Sequence, residues 1–295
     1  MMIDRRLFLV AGAALASGCL AQPAPKAQTN AGEGVVDFGP ELALLGPGGR
    51  LGVAALDVAT GRRIGHDQDN RYAMCSSFKL PLAGCILAEV EAGRMTLDQQ
   101  IPFSRADLYN NSPLVEAHLA EGRLSVERLC AAAIGVSDNA AANLLLARIG
   151  GPAGLTRFFR SAGDTITRLD RAEPELNSNI PGDPRDTSSP AAMVGLLHNL
   201  LLGDRLSQTS RNRLIGWMEG ATTGLTRLRA GLPAGWRGGD KTGTGNGANN
   251  DLAIAWPPGR GPILIVSFTD GREEDMAVRN PVHAAIARRI VAAFA

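Results

Sequence analysis

The run Leu51-Gly52-Val53-Ala54-Ala55-Leu56-Asp57-Val58 is largely apolar, closes on the turn pair Thr60-Gly61, and is answered by Arg63-Ile64-Gly65-His66. An apolar run bounded by turn residues and followed by a short return reads as a strand and its hairpin partner. Strand-like stretches return only late in the chain, at about 236–243, 251–256 and 262–269. Upstream, 37–46 reads as helix, and between the two strand regions the apolar spacing is helical over 77–91, 125–135, 139–149, 152–162, 190–202 and 207–218. Pro81 is compatible with the helix over 77–91 only in its first turn, where a missing N–H costs nothing. The last stretch, 274–294, is a further helix with apolar positions at Met276, Val278, Val282, Ile286 and Ile290. Strands at both ends with helices between are not alternating βαβ units. They predict an α+β fold: one antiparallel sheet built from N- and C-terminal strands and flanked by helices, with a central all-helical lobe. The cleft between lobe and sheet is the natural site.

The 295 residues carry a formal charge of +1 and are 45% hydrophobic, enough for a substantial core. No basic field points to nucleic acid, and no acidic run points to a tail. The lysines are more informative. Of the 30 Lys and Arg residues only three are lysine, namely Lys26, Lys79 and Lys241. A chain that uses Arg for generic positive charge has chemical reasons for its lysines, because Lys can lose its proton in a buried site and Arg cannot. Codon bias with accidental survivors is the alternative. The N-terminus has a charged segment with Arg5-Arg6, then Leu7-Phe8-Leu9 and a small-apolar run to Ala21. That is the pattern of a signal peptide over 1–21, of twin-arginine type, with an ordinary secretory leader as the alternative. Cys19, after Ser17-Gly18, resembles part of a lipid-anchor site, although Ala16 stands where Leu is preferred. Residues 22–35 read as a flexible linker, which leaves 36–295 as the folded domain. Within it, 36–75 and 219–295 are expected to form the α/β lobe and 76–218 the mainly helical one. Cys75, Cys85 and Cys130 remain in the body, an odd number with no CxxC spacing, and His66, His118, His198 and His283 show no close pairing. No metal site and no cofactor are therefore expected.

Four short elements carry chemistry. In Ser76-Ser77-Phe78-Lys79, a serine at a helix start has a lysine three residues on, on the same helix face. The helix N-terminus favours developing negative charge, and Lys lowers the cost of deprotonating Ser. Ser137-Asp138-Asn139 lies between two helices and is also an ordinary turn and cap sequence. Lys241-Thr242-Gly243 lies on a late strand, where Lys and Thr suit a carboxylate and Gly permits close approach of a ligand. Each is weak alone. Together, in this order and using both lysines of the body, they are the combined signature of class A β-lactamases and penicillin-binding proteins. The sequence resembles that family from about residue 37 to 295.

The fourth element, Arg171-Ala172-Glu173-Pro174-Glu175-Leu176-Asn177 with Arg185-Asp186-Thr187, resembles the Ω loop of class A β-lactamases. The resemblance implies an exported enzyme that opens β-lactams through an acyl-enzyme on Ser76. Lys79 or Glu173 would take the serine proton. Ser137 would relay a proton to the leaving nitrogen with Lys241 beside it. Glu173, helped by Asn177, would activate the deacylating water, and Arg171 with Asp186 would close the loop. Backbone N–H groups of Ser76 and Thr244 would form the oxyanion hole. Asn139 would meet the substrate's side-chain amide, and Lys241, Thr242, Thr244 and Arg227 its carboxylate, with Gly243 lining the strand. Three departures bear on the substrate spectrum. Asn250 stands where many members place the carboxylate arginine, so Arg227 takes that part while Arg229 is structural. Gly245 stands where a disulfide partner for Cys75 would be, and Cys85 and Cys130 are not in the register of the family's other common disulfide, so free thiols are expected. Asn111 occupies the usual aromatic gate position, with Tyr109 nearby. The implied partners are small β-lactam substrates acting on a monomer, without nucleic acid and without obligatory membrane contact after export to the periplasm. A D,D-peptidase or a penicillin-sensing module is the alternative; Glu173 speaks against the first and the intact set of motifs against the second.

Overall fold

The computed structural model describes residues 36–271 and 275–295. The leader over 1–21, the linker over 22–35 and Cys19 lie outside the described residues. Chain order is α1 (Gly39–Ala43), β1 (Arg50–Asp57), β2 (Arg63–His66), β3 (Tyr72–Ala73), then a 3-10 turn at Cys75–Phe78 that runs into α2 (Lys79–Glu91). The middle contains β4 (Gln100–Pro102), α3 (Pro113–Ala117), β5 (Arg123–Ser125), α4 (Val126–Gly135), α5 (Asn139–Arg148) and α6 (Gly151–Ser161). It ends with β6 (Thr187–Ser188), α7 (Pro190–Leu201) and α8 (Gln208–Glu219). The last part is β7 (Arg237–Thr244), β8 (Ala248–Trp256), β9 (Ile263–Asp270) and α9 (Met276–Phe294).

The five long strands form one antiparallel sheet in the order β2-β1-β9-β8-β7, so the N-terminal hairpin joins the C-terminal strands as expected for the α+β class. Both faces of this sheet are covered. Leu51, Val53, Ala55, Ala253, Ile263 and Ile265 pack with Val282, Ile286, Ile290 and Phe294 of α9. The alternate residues Ala54, Leu56, Leu252, Ile254, Leu264 and Val266 pack into the larger core shared with α2, α4, α5 and α7. Two buried faces explain why these strands read as continuous apolar runs and not as an in-out alternation.

Helix starts follow side-chain caps. Ser125, Asp138, Ser189 and Ser207 each accept a hydrogen bond from a backbone N–H in the first turn of α4, α5, α7 and α8. The expected helix over 37–46 shrinks to five residues because no side chain caps its start and Gly46 turns left-handed just after it. The helix expected from Ser77 begins at Lys79, with Pro81 still in its first turn. The stripe on α9 also differs: Val278 is 38% exposed, and the buried row is Val282, Ile286, Ile290, Phe294 at an i, i+4 spacing. The strand expected at 251 starts three residues earlier, at Ala248, because Asn249 and Asn250 pair across to β7 despite their polarity. The two-residue pair β3–β6 and the three-residue pair β4–β5 carry no periodicity a sequence could show.

Candidate active site

Ser76 is placed from two sides. Met74 N–H donates to the Asp186 carbonyl at 2.9 Å, next to the β3–β6 pair. Asn250 Nδ2 donates to the carbonyls of Ala73 at 2.7 Å and Met74 at 3.0 Å. Cys75 then adopts a left-handed backbone, φ 47°, which turns Ser76 into the 3-10 turn that leads α2. For a residue with a Cβ that conformation costs about 1 kcal/mol or more, and it persists only where the surroundings fix it. Strand β7 comes up against the same turn. A Cβ on Gly243 would lie 2.5 Å from the Met74 carbonyl oxygen and 2.9 Å from Ser77 N. The missing side chain at Gly243 thus admits the backbone on either side of Ser76.

Lys79, one helical turn from Ser76, is fully buried and bonded to several oxygens at once. Its Nζ lies 3.0 Å from Glu173 Oε1 and donates to the Ser137 carbonyl at 2.8 Å, Asn139 Oδ1 at 2.5 Å and Ser137 Oγ at 3.4 Å. Burial lowers its pKa from the ordinary lysine value, and the Glu173 carboxylate opposes part of that shift. Lys241 reaches the same hydroxyl from β7: its Nζ donates to Ser137 Oγ at 3.1 Å and to the Thr242 carbonyl at 2.6 Å. Complete burial, reinforced by the charge of Lys79, brings Lys241 down to about 7. Ser137, with φ 59°, therefore holds its hydroxyl between two ammonium groups. Asp138 is structural: one oxygen caps α5 at Ala141 N, 2.9 Å, and the other accepts from Leu114 and Val115 at the start of α3.

Glu173 faces Ser76 directly, with Ser76 Oγ donating to Glu173 Oε1 at 2.7 Å. Burial pushes this carboxyl up, but the charge of Lys79 and the hydrogen bonds from Ser76, Lys79 and Asn177 outweigh it, so the pKa lies below the usual glutamate value. Asn177 Nδ2 donates to Glu173 Oε2 at 2.6 Å, while its Oδ1 is buried without a protein partner. The loop that carries Glu173 is closed at its base by Arg171 Nε and Asp186 Oδ2, 2.6 Å apart. Asn143 clamps the Glu173 peptide from α5: its Oδ1 accepts from Glu173 N at 3.0 Å and its Nδ2 donates to Glu173 O at 2.8 Å.

At the other end of the cleft, Arg227 is 5% exposed and threads behind β7. It donates to Thr244 Oγ1 at 2.7 Å, the Asn250 carbonyl at 2.7 Å, the Gly243 carbonyl at 3.2 Å and Asn280 Oδ1 at 3.0 Å. Thr242 Oγ1 donates to Thr223 Oγ1 at 2.7 Å. Arg229 pairs with Asp240 at 2.5 Å under Lys241, in keeping with a structural part. Asn139 reaches into the same cluster: its Oδ1 accepts from Lys79, and its Nδ2 donates to the Asn110 carbonyl at 2.7 Å, which leaves a second N–H and a second lone pair on the amide. Cys75, Cys85 and Cys130 are free and buried. A Cβ at Gly245 would be 2.6 Å from Cys75 Sγ, which places the disulfide position where it was expected and leaves it without a sulfur. His118 bonds to the Leu114 carbonyl and His283 to Ser267 Oγ, so neither serves Ser76.

Three asparagines of the site were not singled out by sequence for these contacts. Asn111, with φ 60°, donates from Nδ2 to the Ser137 carbonyl at 2.8 Å, the same oxygen that Lys79 holds. Asn143 carries one sequence signal, a polar residue four positions after Asn139 among the apolar residues 140–147. Asn250 stands out in the sequence only as a missing arginine, yet it tethers the strand that leads to Ser76.

A family model described as the β-lactamase enzyme family matches residues 42–294. The chain is 47% identical over 243 residues to the carbapenem-hydrolyzing β-lactamase KPC of Klebsiella oxytoca, covering 82% of this chain and 83% of that protein. It is 44% identical over 242 residues to β-lactamase CTX-M-8 of Citrobacter amalonaticus, with the same two coverages of 82% and 83%. Among solved structures, the class A β-lactamase of the last common ancestor of Gram-negative bacteria superposes with a TM-score of 0.84 at 54% identity, covering 88% of this chain and 99% of that one.

Proposed function

Because this chain belongs to the class A β-lactamase family and hydrolyses β-lactams through a serine acyl-enzyme, we propose that Ser76 is that serine and Glu173 its base in both half-reactions. The observation that carries this assignment is the 2.7 Å hydrogen bond from Ser76 Oγ to Glu173 Oε1, on a carboxylate held ionised beside Lys79.

Acylation begins as the Ser76 proton passes to Glu173 while Oγ attacks the lactam carbonyl carbon. The C=O electron pair moves onto oxygen, where the N–H groups of Ser76 and Thr244 would receive it. The C–N bond then breaks and the nitrogen takes a proton from Ser137 Oγ. Lys79 can replace that proton from its 3.4 Å contact and recover its own from protonated Glu173 at 3.0 Å. The serine proton thus ends on the lactam nitrogen and Glu173 is a carboxylate again. In deacylation Glu173 takes a proton from water, hydroxide attacks the ester carbon, and Oγ leaves with the proton Glu173 returns. Asn177 orients Glu173 through Oε2 and offers its free Oδ1 to that water. Asn139 and Asn111 hold Lys79 and the Ser137 carbonyl in place. Lys241, Thr242, Thr244 and Arg227 form the carboxylate end. Residues 1–21 are the proposed export signal, and the folded body is proposed to act as a monomer.

With nitrocefin, rapid quenching and mass spectrometry are expected to find an adduct on Ser76 that forms and disappears during turnover. An adduct that persists in the wild type would assign the chain to the D,D-peptidase or penicillin-sensing alternative. Lys241 gives a pH dependence. Its ammonium is charged below about 7 and loses that charge above it, so carboxylate binding weakens on the alkaline side. The kcat/KM for a penicillin should therefore fall as pH rises through about 7, and Lys241→Arg, which stays charged, should remove that limb. A profile of the wild type that stays flat to alkaline pH contradicts the role given to Lys241.

A further inference from the structure

A polar cavity of about 400 Å³, away from Ser76, opens between the C-terminal half of α2, the end of α5, α6 and the loop after α7. Four arginines line it, Arg94, Arg148, Arg157 and Arg205, against one acid, Glu89. Arg94 is spent on Glu89 in a two-pronged bond, Nε to Oε2 at 2.6 Å and Nη2 to Oε1 at 2.8 Å. The other three have no carboxylate within 4.0 Å among the described residues. Arg205 is nevertheless held in place: its guanidinium lies 5.1 Å from the centre of the Phe158 ring and donates to Ser161 Oγ at 2.6 Å. Arg157 folds back over the turn before α6, with Nη2 3.1 Å from the position a Cβ on Gly150 would take. Three like charges facing one concavity repel each other, and a doubly charged anion would turn that repulsion into attraction. A guanidinium presents paired donors that match phosphate oxygens.

We propose that this cavity is a binding site for a phosphate-bearing anion, a phosphate monoester or a diphosphate group, separate from the β-lactam site. Arg148, Arg157 and Arg205 supply the charge, and Phe158 and Ser161 preset one of the three. Its volume exceeds one phosphate group and lies in the range of small-ligand sites. The same group could reach it on a soluble compound or on a phospholipid headgroup.

The test uses the whole exported protein at low salt, with sodium pyrophosphate as the soluble probe and phosphatidylglycerol or phosphatidylcholine vesicles as the lipid probes. Arg148→Gln/Arg157→Gln removes two exposed, unpaired charges, and unchanged nitrocefin turnover checks that the variant folds. Arg63→Gln/Arg123→Gln makes the same charge change elsewhere on the surface. The expected result is one saturable pyrophosphate site, with a thermal shift, weakened at least about tenfold in the first variant and unaffected in the second. Sedimentation with phosphatidylglycerol but not phosphatidylcholine vesicles, lost in the first variant alone, supports the same site with a lipid as its source. If Arg148 serves only the C-terminal end of α5, both double variants respond alike to every probe. That outcome, or no saturable binding of any probe, overturns the proposal.

Discussion

Glu173→Gln is expected to give a burst of nitrocefin cleavage equal to the enzyme present, followed by an acyl adduct on Ser76 that persists for hours. The substitution keeps the shape of the side chain and its bond from Asn177 but removes the base that activates water, a loss of about 10² to 10⁴ in the deacylation rate. The direct contact between Ser76 and Glu173 adds a second, sharper expectation. The burst itself should slow, because the same oxygen is the acceptor of the serine proton. Stopped-flow acylation separates the two effects. A slow deacylation with an undiminished burst assigns the first proton transfer to Lys79, and normal turnover removes Glu173 from both steps.

Lys79→Met is the second large effect, and its signature is a moved pH profile. In the wild type, burial tends to raise the Glu173 pKa, and the Lys79 ammonium at 3.0 Å is the main influence that brings it down. Without the ammonium, burial is opposed only by the bonds from Ser76 and Asn177, and the pKa rises. Glu173 is then protonated, and useless as a base, over a pH range where the wild type works. The acid limb of kcat/KM should move to higher pH, on top of a fall in its plateau of about 10² or more from the lost proton route. A reduced plateau with an unmoved acid limb would mean that Lys79 shuttles protons without setting the charge of Glu173.

The sequence exposed the parts of this molecule that repeat or stand in motifs. Two apolar strand regions at opposite ends of the chain specify the sheet, since runs such as 51–56 and 263–266 must be buried on both faces. Ser76, Lys79, Ser137, Glu173 and Lys241 stand out in the sequence because lysine is rare here and each lies in a short recognisable context, and the fold brings these side chains together. The residues that position them were harder to see. Asn143, Asn111 and Asn250 act on backbone atoms of residues 26 to 177 positions away, and asparagine in a helix, turn or strand is unremarkable by itself. At Gly243 the sequence signals the missing Cβ but not the backbone of Met74 and Ser77 that packs against it. Asn139 shows the same limit: a motif names the residue but does not say that its amide will also bind Lys79 and the Asn110 carbonyl.

The strand order has a consequence for how the enzyme is made. β9 is the last strand in the chain and the middle strand of the sheet, pairing with β1 along Arg50–Asp57 on one side and β8 on the other. A nascent chain that has emerged as far as Thr244 holds every proposed catalytic residue, yet its first hairpin and β7 have no strand to join them. Closing that gap requires contacts between residues about 200 apart, the kind that form late and slowly. Such a chain should be inactive until nearly the whole of it has left the ribosome, and a truncation just before Ile263 should be a fragment with a complete chemical inventory and no catalysis.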